Sequence, residues 1–441
     1  MKRLQSQPEE GVVAGLNHDG AAVLREAKAA FVPGALPGER IRFRRTVGHR
    51  QYDEGELLEV IEPSADRVTP RCAYFGVCGG CSLQHLAPGA QILMKQQELA
   101  DNLERIGKSA PANWLAPMTG PVWNYRRRAR LGVKYVPKKG RVLVGFRERM
   151  KPYVAELTGC DVLVESVSAL ITPLARMIDG LAIRSQLPQI EVAAADREIA
   201  LVMRVLEPPG EADRAVLHEF ERQHGCRILL QSGGIDSIAP LQGAAPGLSY
   251  ALPEFGLDLA FLPTDFIQIN AAINRQLIVR AIELLALDTS SRVLDLFCGL
   301  GNFTLPIART VAAVVGVEGE AGLVARAREN ARRNQVGNAA FHVANLAAEG
   351  LDDFPWARGP YSHVLLDPPR AGAREVLPLI KRLAPRRIVY ISCHPGSLAR
   401  DVGELVHEHG FSLTAAGVLD MFPHTNHVES IAVLEASRKQ S

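Results

Sequence analysis

Apolar and polar positions change their spacing along this chain, and each change predicts a different kind of structure. From residue 8 to about 63 the apolar runs are short and broken by glycine or proline: GVVAGLN, AAVLR, AAFVPGALPGERIRFRR and GELLEVIEP. Short runs punctuated by turn residues predict the strands of a small OB-like β-barrel, and Pro63 and Pro70 mark a linker after it. Between 91 and 106, Ile92, Leu93, Leu99, Leu103 and Ile106 recur at helical spacing. ARLGVKYV and RVLVGFRE then alternate as antiparallel strands do, and residues 160–260 mix a helical VESVSALITPLARMIDGLA with strand-like EIALVMRVL and CRILLQS. Residues 64–265 therefore read as a central α+β region.

After Asn270 the rhythm becomes βαβ. SRVLDLFCG, AAVVGVEG, YSHVLLDPPR and RRIVYISC are near-continuous apolar runs, each followed by a helical pattern. Strands apolar on both faces and alternating with helices predict an α/β fold with a parallel, doubly wound, Rossmann-like sheet. The chain thus divides into 1–63, 64–265 and 266–441, consistent with a length of 441 residues.

Composition adds the compartment. No apolar run approaches the ~20 residues that span a bilayer, and MKRLQSQPEEG lacks the apolar core of a signal peptide. A cytoplasmic protein with no membrane partner is expected, working as a monomer. Seven cysteines in such a chain point to metal ligation or catalysis rather than disulfides. Net charge is only +2, but Arg126–Lys151 holds eleven Lys or Arg against one Glu, about +10, leaving about −8 for the rest. Clustered charge of that kind is what a nucleic-acid backbone senses; a solvated basic hairpin is the plain alternative. Arg40, Arg42, Arg44 and Arg45 give the N-terminal barrel a similar potential.

VLDLFCGLGNFTLPIA is a buried strand that ends in a Gly-rich turn and opens a helix. Gly299 and Gly301 let the backbone approach a ligand, and ligands of such sheets sit beyond the strand C-termini. The dinucleotide pattern G-x-G-x-x-G is not met, because Thr304 stands at the third position. Asp295 precedes the turn, the next strand ends at Glu318, which can accept ribose hydroxyls, and VANLA brings Asn345 to the strand end after that. This arrangement resembles the S-adenosylmethionine site of Rossmann-like methyltransferases.

Two more strand ends carry reactive groups. LLDPPRAG ends at Asp367 in a loop stiffened by two prolines, and RRIVYISCHP places Cys393 at a strand tip. An isolated thiol is as often an inert core residue, but the rim position beside Asp367 favours chemistry. C5 of uracil is a poor nucleophile until a thiolate adds at C6, which is covalent catalysis. A general base must then remove the C5 proton. DMFPHTNHVES offers Glu429 for this, with His424 and His427 as rivals.

RCAYFGVCGGCSLQH sets Cys72, Cys78 and Cys81 close together. Of the remaining thiols, Cys298 belongs to the Gly-rich turn, Cys393 to the rim, and Cys226 starts a strand; Cys160 is left as a fourth ligand. The spacing C-x5-C-x2-C-x78-C admits a Cys₄ zinc site, although three-plus-one is more usual for a cubane cluster. A redox role for the C-x-x-C pair is disfavoured by the third thiol and the lack of a thioredoxin-like context.

Taken in order, C-x5-CGGC, TDFIQIN, LDLFCGLGNFTLP, LLDPPRAGA, SCHPGSLARD and DMFPHTNHVES resemble the bacterial 23S ribosomal RNA uracil-C5 methyltransferases, of the type acting at uridine 1939. The resemblance covers nearly the whole chain. It implies a TRAM domain of OB-like form, a central domain with a [4Fe–4S] cluster on Cys72, Cys78, Cys81 and Cys160, and a methyltransferase domain. It implies Cys393 as nucleophile and Glu429 as base. It has Gln268, Phe297, Asn302, Glu318, Asn345 and Asp367 lining the pocket for S-adenosylmethionine, Gln268 and Asp367 also meeting the uracil, and Phe266 stacking on the base. The partner implied is 23S ribosomal RNA, with the target uridine flipped out of its stack. The chain departs from the family at His394, where Asn is usual, and at Asp161, where Pro is usual. The transfer-RNA uracil-C5 enzymes and a second ribosomal type are the alternatives; the first usually lacks both TRAM domain and cysteines, the second the TRAM domain.

Overall fold

A computed structural model describes every residue except 1, 5, 18, 26, 27, 349 and 438–441. The N-terminal region folds into a seven-stranded, mostly antiparallel sheet built around Arg40–Gly48 and Tyr52–Glu62. Ala22, Leu24, Ala30, Val32, Ile41 and Phe43 alternate inward to form its core. Glu39, fully buried, ties it to the next region by accepting from the Leu36 and Ser64 amides and the Arg67 guanidinium.

The central six-stranded sheet runs Arg141–Gly145, Arg128–Val136, Gln189–Ala194, Ile199–Arg204, Cys226–Gln231, Ile238–Pro240. All neighbours are antiparallel except the pair Ile199–Arg204 and Cys226–Gln231. The basic alternating segments thus form a hairpin at one end of this sheet, with Arg141–Gly145 as its edge strand and Arg128–Val136 next to it.

The C-terminal sheet has eight strands in the order Ala339–Val343, Ala313–Glu318, Arg292–Leu296, His363–Leu366, Arg387–Ser392, Glu429–Ala436, Phe411–Leu419, Asn113–Trp114. The first five are mutually parallel and Glu429–Ala436 runs antiparallel to its neighbours. Strand order reverses between Arg292–Leu296 and His363–Leu366, the place where such sheets bind ligands. Successive residues feed opposite cores: Val293, Leu365 and Val389 enter one, Leu294, Leu366 and Ile388 the other. Both faces are covered, which is why these strands read as unbroken apolar runs.

Two pieces of the middle region pack here rather than on the six-stranded sheet. The helix Pro88–Arg105, opened by proline in its first turn, lays Ile92, Leu99 and Leu103 on one face beside the helix Pro395–His407. The hairpin Ser249–Leu252 and Leu257–Ala260 packs on the other. An apolar stripe says that a face is buried but not against which sheet.

Candidate active site

The Gly-rich turn leaves the sheet at the reversal point. Phe297 and Gly299 have positive φ, 67° and 54°, and a Cβ at Gly299 would meet nothing within 4 Å. The backbone there faces open space, as a cofactor cradle needs. Glu318 closes the next strand, its carboxylate accepting from the amides of Gly299 (3.1 Å) and Glu320 (3.0 Å). Asn345 is exposed at the strand end beyond and caps its own turn through the Ala347 amide. Asn302 is locked by two reciprocal hydrogen bonds with Asn274 and a third from Tyr250. Gln268 lines a neighbouring groove with Arg127, Tyr250 and Asn274. Phe266 is 69% exposed on a turn pinned by Arg128, which donates to the carbonyls of Pro263 and Asp265, and by Arg326 on the Asp265 carboxylate.

The reactive rim follows from strand register. Ser392 pairs with Ser430 in the antiparallel ladder, and one step beyond that pair Cys393 comes opposite Glu429. Asp367, at the end of the adjacent parallel strand, acts electrostatically on both. Burial pushes the Glu429 carboxyl up to about 8 and Asp367 up to about 7. Burial, with Glu429 and Asp367 adding, pushes the Cys393 thiol up to about 11, while Arg370 works in the opposite sense. Asp295 beneath the turn is likewise pushed up to about 7 by burial. His424 is no rival base: it is buried, stacks on Trp123 at 3.9 Å, bonds Gln91, and burial holds it neutral, down to about 4.

His394 takes over a structural task open to asparagine. Its Nδ1 accepts the Ser397 amide at 3.1 Å, capping the helix that starts at Pro395. Asparagine is a strong residue for that position, and a neutral imidazole supplies the same acceptor.

Raised carboxyls carry a sign. A carboxyl whose folded value exceeds its unfolded one contributes stability that is complete below about pH 4 and lost as pH rises through the folded value. With Asp295, Asp367 and Glu429 at about 7, 7 and 8, the melting temperature of ligand-free protein is expected to fall between about pH 4 and about pH 8 and to level off above. Glu429→Gln should flatten that fall and melt higher than wild type at alkaline pH; melts across a pH series check this.

The four thiols expected to act together do surround one cavity. Cys72, Cys78, Cys81 and Cys160 line it with Phe75, Phe146 and Leu157. The loop that bears the first three docks on the basic hairpin: Gly79 donates to the Arg147 carbonyl and Arg149 to that of Val77. Cys226 and Cys298 are buried elsewhere, in the central core and the turn. Among the described residues no three Cys, His, Asp or Glu side chains converge closely enough to hold a single metal ion.

A 23S rRNA (uracil(1939)-C(5))-methyltransferase RlmD of Alkalilimnicola ehrlichii is 51% identical to this chain over 436 residues, 98% of each chain. The chain belongs to the RNA uracil-C5 methyltransferase family. The namesake from Xanthomonas axonopodis pv. citri is 50% identical over 437 residues, again 98% of each. The profile of the tRNA (Uracil-5-)-methyltransferase family matches residues 260–437. The crystal structure of Pyrococcus abyssi tRNA (uracil-54, C5)-methyltransferase in complex with S-adenosyl-L-homocysteine shares the fold, with TM-score 0.75 and 23% identity over 97% of this chain and all of that one.

In this methyltransferase the basic surface is smaller than the sequence suggests. Arg40, Arg42 and Arg45 pair with Glu10, Glu59, Glu9 and Asp53, leaving Arg44 as the one of the four without an ion pair among the described residues. Arg127, Arg130, Lys139, Arg141 and Lys151 are also paired. Sequence reasoning passed over two charged residues near the rim. Arg370 stood in the DPPR motif and its charge reaches Cys393. Lys95 lies on the buried stripe of its helix, between Ile92 and Leu99, where a lysine is out of place.

Proposed function

We infer that the protein transfers a methyl group from S-adenosylmethionine to C5 of uridine 1939 in 23S ribosomal RNA, through a covalent bond between Cys393 and C6. One juxtaposition carries the mechanism: a thiol and a buried carboxyl face each other across a strand pair, beside Asp367, at the rim above an open Gly-rich turn. S-adenosylmethionine, when bound, supplies the electrophilic methyl group. Phe297, Asn302, Glu318 and Asn345 would hold it, with Gln268 and Asp367 between it and the ring, and Phe266 offering a stacking face to the flipped base.

The Cys393 sulfur, once deprotonated, adds to C6 and moves the ring's electron pair toward C5 and its carbonyl oxygen. Asp367, half protonated near neutral pH, returns a hydrogen bond to that developing charge. C5, made nucleophilic by the Cys393 adduct, would accept the methyl group as the methyl–sulfonium bond breaks to leave a neutral thioether. Glu429 then takes the C5 proton, the freed electron pair re-forms the C5–C6 double bond, and the C6–S bond breaks to release the thiolate. With the thiol pushed up to about 11 by burial, Glu429 and Asp367, only a small fraction is thiolate at neutral pH in the ligand-free protein.

Four cysteines lining one cavity in a three-plus-one arrangement support the reading of a [4Fe–4S] cluster there. The cluster has no step in a redox-neutral methyl transfer and serves as a clamp between the loop 72–81 and the segment at 160. Residues 1–63 serve as a TRAM-type RNA-binding domain, 64–265 as the cluster domain and 266–441 as the methyltransferase domain. We take it to work as a monomer, on ribosomal RNA in the cytoplasm. Mapping 5-methyluridine in RNA from a strain lacking the gene tests the assignment. Loss at uridine 1939, restored by the gene, is expected; intact methylation there overturns it, and loss at a transfer-RNA uridine instead favours the transfer-RNA reading.

A further inference from the structure

The hairpin that presents Glu429 is anchored from a different part of the chain. Its strands Phe411–Leu419 and Glu429–Ala436 pair so that Leu419 meets Glu429, and residues 420–428 loop between them. The His424 carbonyl accepts the amides of Ser82 and Leu83, both at 2.9 Å, and the Ser82 hydroxyl bonds Asn426 at 3.1 Å. Gln91 accepts the His424 amide at 2.8 Å, and Tyr125 donates to the Pro423 carbonyl at 3.0 Å. Beneath the loop lies Lys95, with none of its surface exposed. Its Nζ is 2.7 Å from Asp420 Oδ1 and 3.0 Å from the Phe422 carbonyl.

A buried ion pair is a weak source of stability, because removing two charges from water offsets most of their attraction. An apolar side chain on this stripe would pack as well without that penalty. What it would lack is a positive charge beside the strand end that bears Glu429: burial lowers the pKa of the ammonium, Asp420 works against that, and Asp420 follows Leu419, the ladder partner of Glu429.

We propose that Lys95 is a positioning residue for the general base: its ammonium, held in place by Asp420 and the Phe422 carbonyl, sets the pH at which Glu429 becomes able to accept the C5 proton. The proposal rests on the reading of Glu429 as that base. Asp367 and the Cys393 thiol also face Glu429, and Asp367 makes it hold its proton more tightly. Lys95 acts in the opposite sense. Around Lys95 itself stand Asp420, Glu98 on its own helix, and His424 and His427, both held toward the neutral form by burial; Arg370 and Arg126 lie beyond His427. Lys95 is thus the cation that counters Asp367 at the base.

The test follows release of tritium from C5 of the uridine in an RNA fragment, in single turnovers of cluster-loaded full-length enzyme across pH. Two variants remove the charge by different routes. Lys95→Gln keeps a donor for both partners, and Lys95→Met with Asp420→Asn leaves no unpaired charge. Both should move the acid limb of proton release upward, Lys95→Gln by about one pH unit and the double variant by less because it also removes the Asp420 charge, and both should accumulate the methylated RNA–protein adduct at neutral pH. Lys95→Arg, which keeps the charge, should restore the wild-type limb. A merely structural role would lower the rate at every pH without moving the limb. An unmoved limb in either neutral variant, or an Arg variant shifted as far as they are, overturns the proposal. Glu429→Gln separates the two readings. If it releases tritium at the wild-type rate, the base assignment fails. If it stalls while the neutral Lys95 variants keep the wild-type profile, only the role of Lys95 fails.

Discussion

Cys393→Ala is expected to abolish methylation of 23S RNA, by on the order of 10⁴-fold or more, the scale seen when a covalent nucleophile is removed. Without sulfur addition at C6, C5 has no electron density to offer a methyl group, and no neighbouring side chain replaces it. Ser392 on one side is buried, with its hydroxyl bonded to the main chain of His394. His394 on the other caps the following helix. Binding of the cofactor should survive, because the Gly-rich turn and Glu318 lie on other strands. The companion variant Glu429→Gln should stall one step later, with the methyl group transferred and the RNA still attached to protein. Denaturing gels of enzyme with labelled RNA read both results: no shifted band for Cys393→Ala, a persistent one for Glu429→Gln. Methylation by Cys393→Ala at the wild-type rate would sink the covalent mechanism.

The second large effect is expected at Cys78. Cys78→Ala should remove bound iron, the 400 nm absorption such clusters give, and the order of the loop 71–85. Metal anchors contribute on the order of 10 kcal/mol in small domains that fold only around them. Here the loss should be smaller and local, because the six-stranded sheet has its own core of Leu131, Ile190, Leu201 and Ile228. Apart from the thiols, residues 72–79 are held by hydrogen bonds to the hairpin at Arg147 and Arg149, those between Tyr74 and Thr158, and Gln84 under Cys72, while Ser82 and Leu83 anchor the loop's far end on His424. A melting temperature lower by several degrees and RNA affinity lower by at least tenfold are expected, checked by iron assay, thermal melts and filter binding. Because Ser82 and Leu83 also hold the loop before Glu429, proton release on bound RNA should slow as well, although methyl transfer itself should change less. An iron-free Cys78→Ala protein that binds RNA and melts like wild type would contradict the clamp.

The substitution of His for Asn after Cys393 shows how a departure in sequence resolves in structure. Read alone, it is a departure of modest expected effect, because a neutral imidazole can donate and accept as a carboxamide does. The imidazole nitrogen accepts the same kind of capping bond that a carboxamide would, so the backbone path from Cys393 into the helix is kept. The arginines of the N-terminal sheet went the other way. Their sequence promised a basic surface, yet Arg40, Arg42 and Arg45 face glutamates and an aspartate on neighbouring strands. Cross-strand partners are set by register, and register is not written in any one strand.

By itself the sequence determined the local features: a parallel sheet from doubly apolar strands, a ligand turn from two glycines, a reactive thiol and acidic groups at strand ends, and three clustered cysteines. Each is legible because its cause lies within a few residues, in periodicity, turn chemistry or motif spacing. Only the tertiary structure decided which distant groups meet. It brought Cys160 to the cavity of Cys72, Cys78 and Cys81, set Glu429 across from Cys393 by antiparallel register, and slid Lys95 under the loop before Glu429 on a helix more than three hundred residues earlier. Those meetings depend on which faces pack together and on what burial does to a charge. Neither is a property of a segment; both arise only when the whole chain excludes water.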